Sequence, residues 1–341
     1  MNIDNCKQPI FIIGTPRSGT TLMAKILGRH SRLFMPGETH FFDDVYAFRK
    51  SFGNLDNPDA RERVAAKLAD HYKRYWEVQD QERIDSVIRN RPEQWSKWRD
   101  GMHEYRDALS GLMELQMELE GKCRWGNNAP RDIFNVEQIL AFYSEAKFIV
   151  CVRDPRDFLL SYKGKWRITG EEHVERLRKL YHPVITSLLW KSSIRQLPWL
   201  KSKIPQGNWL IVRYEDLVTA PEDTVRRVCD TVGERFEAQM LEVQENNSSA
   251  NRQQQGIFAT SVERWRQNLE PAEIAVAQQL TGTEMADLGY TQEKINAPMM
   301  ALASIYLRAP WAFVRAMRAN TEMRGPLIPY LFRRVKCLLW R

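Results

Sequence analysis

Residues 10–13 (IFII) run without a break into Gly14-Thr15-Pro16-Arg17-Ser18-Gly19-Thr20-Thr21, and from there into a helix-forming stretch at 22–27 (LMAKIL). An apolar run that short and continuous reads as a strand buried on both faces, closed by a glycine-bearing loop that opens a helix. Two more such runs follow, at 147–152 (KFIVCV) and 209–212 (WLIV), with helical sequence between them. Strands buried on both faces and separated by helices predict an α/β domain, a central parallel sheet between two helical layers. Residues 41–125 read as helical, charged and Trp-rich (Trp76, Trp95, Trp98, Trp125). Residues 171–200 and 221–241 also read as helices, and 243–260 as a polar loop.

The 341 residues leave room for one large α/β domain with insertions or for two ordinary domains. A composition of 43% hydrophobic and 27% charged residues excludes wholesale disorder. Mean hydropathy is −0.51, and no window approaches the roughly 18 uncharged apolar residues of a spanning helix. The first residues lack the basic n-region of a signal peptide. Five scattered cysteines with no CxxC pair argue against a disulfide framework or zinc site and fit a reducing, cytoplasmic setting. The net charge of +7 is entirely in residues 298–341, which hold eight cations and only Glu322 as anion. The rest of the chain is neutral, so charge gives no support to a nucleic-acid surface there.

Aligned on its glycines, the first loop reads G-x-x-x-x-G-T-T. A nucleotide triphosphatase has lysine where Thr20 stands, reaching the β/γ-phosphates, with the next hydroxyl on Mg²⁺. Here the cation is Arg17, inside the loop. Loop N–H groups and the helix N-terminus still cradle an anion, so phosphate binding without metal is the expected role; the competing reading is a plain strand–helix turn. A second constellation follows the 147–152 run: Arg153-Asp154-Pro155-Arg156-Asp157, then Ser161 and Tyr162. An arginine at the carboxyl end of a strand sits where open α/β sheets bind ligands; by itself the cluster could equally be a surface Arg–Asp group. The third run ends in Arg213 and Tyr214. Together the three strand ends suit an adenine nucleotide with phosphates at two places.

These residues resemble a known family. Pro16 to Thr21 is similar to the 5′-phosphosulfate loop of sulfotransferases that use 3′-phosphoadenosine 5′-phosphosulfate (PAPS), 147–161 to their 3′-phosphate segment, and Tyr214-Glu215-Asp216-Leu217 to their Y-E-D stretch. Gly37-Glu38-Thr39-His40 resembles the G-E-T-R motif of the tyrosylprotein-sulfotransferase-like branch. The resemblance implies a P-loop-like three-layer fold over residues 1–297, with 41–125 as a helical insertion on the acceptor side. It implies PAPS as co-substrate, a hydroxyl acceptor, no metal, and Glu38 as general base with His40 as rival. Arg17, Ser18, Gly19, Thr20 and Thr21 would take the 5′-phosphate, and Arg153 and Ser161 the 3′-phosphate. Tyr214, Ser261 and Trp265 would lie about the nucleotide. A carboxylate beside an arginine-bearing anion loop is expected to be held ionised. Two departures stand out. Asn128 occupies the lysine position of a W-x-x-K-x-P pattern, and His40 replaces the arginine of G-E-T-R, which weakens a peptide-tyrosine acceptor. The alternatives are a Mg²⁺-dependent P-loop kinase and a non-enzymatic membrane-associated module.

The tail, residues 298–341, reads as two amphipathic helices punctuated by Pro310 and by Gly325-Pro326. In 327–341 seven apolar residues fall within about 140° of one another, opposite Arg333, Arg334, Lys336 and Arg341. In 311–318, Phe313, Val314 and Met317 oppose Arg315 and Arg318. The tail is expected either to lie on an anionic membrane surface, keeping the enzyme peripheral on the cytoplasmic face, or to dock on the domain with a solvated basic side.

Overall fold

The computed structural model describes residues 8–75, 78–164, 174, 178–243, 256–324, 331, 332 and 335. Five parallel strands form one sheet in the order β2-β3-β1-β4-β5. They are β1 (Ile10–Gly14), β2 (Leu33–Phe34), β3 (Arg124–Asn128), β4 (Lys147–Val152) and β5 (Trp209–Arg213). Three of them are the predicted apolar runs, but β5 is the edge strand and only Val212 in it is fully buried, because no further strand among the described residues covers its outer side. The other two escape a hydrophobic reading for physical reasons: β2 has two residues, and β3 (RWGNN) is polar yet wholly buried.

Alternation in β1 and β4 divides the core. Phe11, Ile13, Phe148, Val150 and Val152 point into one layer with Phe158 and Trp190. Ile10, Ile12, Ile149 and Cys151 point into the other, against Leu22, Met23, Ile26, Val225 and Val228. Helices Thr20–Gly28 and Pro221–Val232 therefore cover one face, and Pro155–Lys163 and Pro183–Ile194 the opposite one, which gives the three-layer P-loop-like arrangement. The chain leaves β1 toward β2 and β3 on one side and toward β4 and β5 on the other. The carboxyl ends of β1 and β4 thus flank the switch point where such sheets bind ligands.

Helices Arg49–Phe52, Pro58–Tyr75, Val78–Asn90, Pro92–Asp100 and Tyr105–Leu119 all lie between β2 and β3. Trp98 and Trp125 are buried in the core, and Trp95 packs on Trp98 with ring centroids 4.6 Å apart; Trp76 falls outside the described residues.

Three helix expectations differ from the structure. The 171–200 stretch is not one helix: it is interrupted at 181–182, ahead of Pro183, and again between Ile194 and Leu197; residues 171–173 and 175–177, and 244–255 of the expected polar loop, fall outside the described residues. The 221–241 helix stops at Val232, because Gly233 turns left-handed (φ 78°) and its N–H returns to Cys229 O at 2.8 Å. Pro310 does not end a helix: it sits on the exposed side of the continuous helix Met299–Arg324. There its ring faces water, and tertiary packing of the opposite side holds the turns above and below it. Of the second tail segment only Leu331, Phe332 and Val335 lie among the described residues. No described helix is long and apolar enough to cross a membrane.

Candidate active site

Backbone geometry shapes the loop after β1 before any side chain acts. Gly14 has φ +138°, and a Cβ there would stand 2.0 Å from the carbonyl oxygen of Cys151 in β4. Only glycine allows that approach. Thr15 N–H donates to the same oxygen at 3.2 Å, and the Thr15 and Ser18 hydroxyls are hydrogen-bonded to each other across the loop. Arg17 adopts φ 68°, and Gly19, at φ 85°, lies so close to the Tyr214 ring that a Cβ would meet it at 2.6 Å. Thr20 then opens the helix, whose first N–H groups have no intrahelical acceptor and carry partial positive charge. Ser18 and Thr20 are buried beneath the loop, while Thr21 is exposed.

Arg17 Nε donates to Ser161 Oγ at 3.0 Å. Arg153, the residue after β4, donates from Nη1 to Arg17 O (3.3 Å) and from Nη2 to Ser261 O (2.8 Å). Its guanidinium lies 4.2 Å above the Tyr214 ring. The Tyr214 and Ser261 hydroxyls share a hydrogen bond of 2.5 Å, and the Trp190 indole N–H holds Arg153 O at 2.8 Å. Arg17, Arg153, Ser161, Tyr214 and Ser261 thus meet from five segments. Burial, and after it the charge of Arg153, lowers the Arg17 pKa, so an anion beside the pair would relieve both cations. Arg153 Nε is buried with no hydrogen-bond partner among the described residues, a donor for which an anionic ligand supplies the acceptor.

Glu38 and His40 lie in the loop between β2 and the π-helical turn Phe41–Val45. His40 Nε2 lies 3.1 Å from Glu38 Oε2, with the His40 side chain 11% and that of Glu38 36% exposed. The Glu38 charge acts directly on Arg17. A polar web under the sheet edge fixes this loop. Thr39 Oγ1 donates to Asn127 Oδ1 (2.7 Å), Asn127 Nδ2 to Asp132 Oδ2 (2.9 Å), and Asn135 Nδ2 to Asp132 Oδ1 (3.2 Å). Arg131 pairs with Asp43 at 3.0 Å. Burial, reinforced by Asp43, raises the Asp132 pKa well above the carboxylate range. None of these supports is visible in hydropathy, because β3 and the turn after it are polar. Asn128 ends β3 beside Ile12 of β1, 2% exposed; its amide can donate a hydrogen bond but brings no charge.

Trp265 lies outside the five-residue cluster. It is buried, with Arg156 at 4.0 Å on one ring contact and Arg266 at 4.6 Å on another. Its backbone does the positioning: Asp157 accepts the N–H of Glu263 (2.7 Å) and of Trp265 (3.1 Å), which holds the turn that carries Ser261. Glu215, between Tyr214 and Asp216, is a brace; it accepts the Asp154 N–H (3.0 Å) and the Tyr290 hydroxyl (2.9 Å).

Asp157 makes stability depend on pH. Burial pushes its pKa up to about 6, above the roughly 3.9 of an unfolded aspartate. The folded state therefore holds the proton more tightly, and this contribution is lost as pH rises from about 4 through 6, about 3 kcal/mol in all. Thermal melts of wild type and Asp157→Asn over this range should show the wild type losing stability more steeply with rising pH. Parallel profiles would exclude Asp157 as the titrating group.

A parallel sheet with a glycine–arginine loop at its switch point and a second arginine at the next strand end defines an α/β domain of the P-loop-like class. The chain belongs to the sulfotransferase family, whose model matches residues 9–238, and it is accordingly a transferase. It is 24% identical over 306 residues to the nodulation protein NoeE of Sinorhizobium fredii, covering 84% of this chain and 67% of that one. It is 34% identical over 114 residues to human carbohydrate sulfotransferase 2, covering 31% of this chain and 21% of the relative. Among solved structures, the sulfotransferase domain from the curacin biosynthetic pathway superposes with TM-score 0.54 at 18% identity, over 84% of this chain and 99% of that domain. The sulfotransferase domain of the Synechococcus PCC 7002 olefin synthase gives 0.52 at 23%, over 84% and 97%. These likenesses bear out the fold.

Proposed function

We propose that the chain transfers the sulfuryl group of PAPS to a hydroxyl of a glycan, lipid or other small acceptor, with Glu38 as general base. The observation that carries the reading is the position of Arg17, hydrogen-bonded to Arg153 and Ser161 and electrostatically coupled to Glu38. Arg153, Ser161 and Ser261 suit a 3′-phosphate; Arg17 and the N–H groups about Ser18, Gly19, Thr20 and Thr21 suit the 5′-phosphate. The co-substrate supplies a sulfuryl group already activated by its phosphate, so the protein's work is alignment and charge stabilisation. Glu38 accepts the hydroxyl proton as the acceptor oxygen bonds to sulfur. Arg17 stabilises the charge left on the departing phosphate when its bond to sulfur breaks. His40, in contact with Glu38, orients the carboxylate or takes the proton in its place. The names of carbohydrate sulfotransferases 1, 2 and 3 among the relatives favour a sugar hydroxyl.

Calorimetric titration separates this reading from a kinase. In EDTA, adenosine 3′,5′-bisphosphate should bind at least about tenfold more tightly than ADP, since each phosphate held by a charged donor adds more than about 1.4 kcal/mol. Tighter binding of ADP or ATP, and only with Mg²⁺, would overturn it.

A further inference from the structure

The helix Met299–Arg324 is docked by its small side. Ala312 and Ala319 are buried, and the helix packs on Pro183–Ile194 and Pro271–Asp287. The Tyr306 hydroxyl donates to Gln279 Oε1 at 2.9 Å. This seating turns the large apolar residues outward: Met300 is 84%, Leu307 78% and Trp311 76% exposed, with Phe313 and Val314 also open. At the 100° step of a helix, Met300, Leu307, Trp311 and Val314 fall within about 60°, as one stripe. Arg318 falls within it, about 40° from Val314 rather than opposite it as the sequence expectation had it, and Arg308 and Arg315 follow one border. Beneath that border, between the helix and the domain, runs a groove of about 1390 Å³ whose lining includes Lys179, Ile305, Arg308, Trp311, Arg315 and Arg318.

A helix that buries Ala312 and Ala319 and shows its tryptophan, Leu307 and Met300 is seated the wrong way for water and the right way for an interface. The charge selects the occupant. Residues 298–341 carry eight cations against one anion, so a second copy of this chain would bring like charge to like. An anionic bilayer complements both the stripe and its arginine border.

We infer that Met299–Arg324 lies flat on an anionic lipid surface. Met300, Leu307, Trp311 and Val314 enter between the headgroups, and Arg308, Arg315 and Arg318 take lipid phosphates at the mouth of the groove. Membrane docking and sulfuryl transfer are independent, so either can fail alone.

The test is co-sedimentation of the full chain with phosphatidylcholine vesicles, with and without phosphatidylglycerol. Binding should be strong only with phosphatidylglycerol and fall with salt. Replacing Arg308, Arg315 and Arg318 with glutamine should weaken it about 10²-fold, at roughly fivefold per cation. Leu307→Glu with Trp311→Glu should abolish it, and the double alanine variant should weaken it without adding charge. The replaced apolar side chains are exposed, so the melting temperature should not move. Equal binding to neutral vesicles, or wild-type binding by Leu307→Glu/Trp311→Glu, would overturn the inference. So would a dimer of the wild type, seen by sedimentation velocity, that the same pair of substitutions dissolves.

Discussion

Glu38→Gln is expected to lower kcat by about 10²–10⁴-fold, the range of a lost general base, with affinity for adenosine 3′,5′-bisphosphate undiminished. Glutamine keeps the size of the side chain and a polar contact to His40, but it cannot take a proton from the acceptor. It also removes a negative charge whose field reaches Arg17, so anion binding should hold or tighten slightly. His40→Gln is the necessary companion, because the two side chains meet at 3.1 Å and either could receive the proton. With Glu38 as base, the glutamate variant suffers the larger loss in kcat and the histidine variant a smaller one through orientation. Single-turnover rates in the reverse order would make His40 the base, and near-normal turnover by both variants would sink the proposed chemistry.

Arg153→Ala should weaken bisphosphate binding by about 10²–10³-fold, within the range seen when one member of a buried, hydrogen-bonded charge pair is truncated. ADP, which lacks the 3′-phosphate, should be affected much less. That contrast separates phosphate recognition from general disruption, and the control matters because Arg153 also holds Arg17 O and Ser261 O and stacks on Tyr214. Lysine at this position restores charge but not the fork that spans two carbonyls and a ring, so Arg153→Lys should recover only part of the affinity. An equal loss for ADP and the bisphosphate would reassign Arg153 from the 3′-phosphate to the framework of the loop.

Much of this protein is written locally. The runs at 10–13 and 147–152 are apolar on both faces, as strands inside a covered parallel sheet are, whereas the similar run at 209–212 lies at the sheet edge and is only half-buried. Gly14 and Gly19 bracket the loop that closes the first run, so its place at a strand end is legible in the residues alone; the fold adds the crowding by Cys151 and Tyr214 that leaves no room for a side chain at either glycine. Arg17, Arg153 and Tyr214 follow from the same local logic, since residues just past a strand land at the sheet's carboxyl edge.

Other features exist only in three dimensions. β3 is a polar strand that can be buried because β1 and β2 flank it in the sheet and because Thr39 and Asp132 satisfy Asn127, and Gln8, Val232 and Glu234 satisfy Arg124; hydropathy has no access to partners recruited from distant segments. Trp265 proves to be a buried anchor for the turn that presents Ser261, since Asp157 reaches across from another helix to hold that turn's backbone. The tail gives the sharpest contrast. Its amphipathic pattern and positive charge are properties of the sequence. Which side faces the domain was decided by packing: the helices beneath it accept alanines closely, and that choice left tryptophan, leucine and methionine facing out.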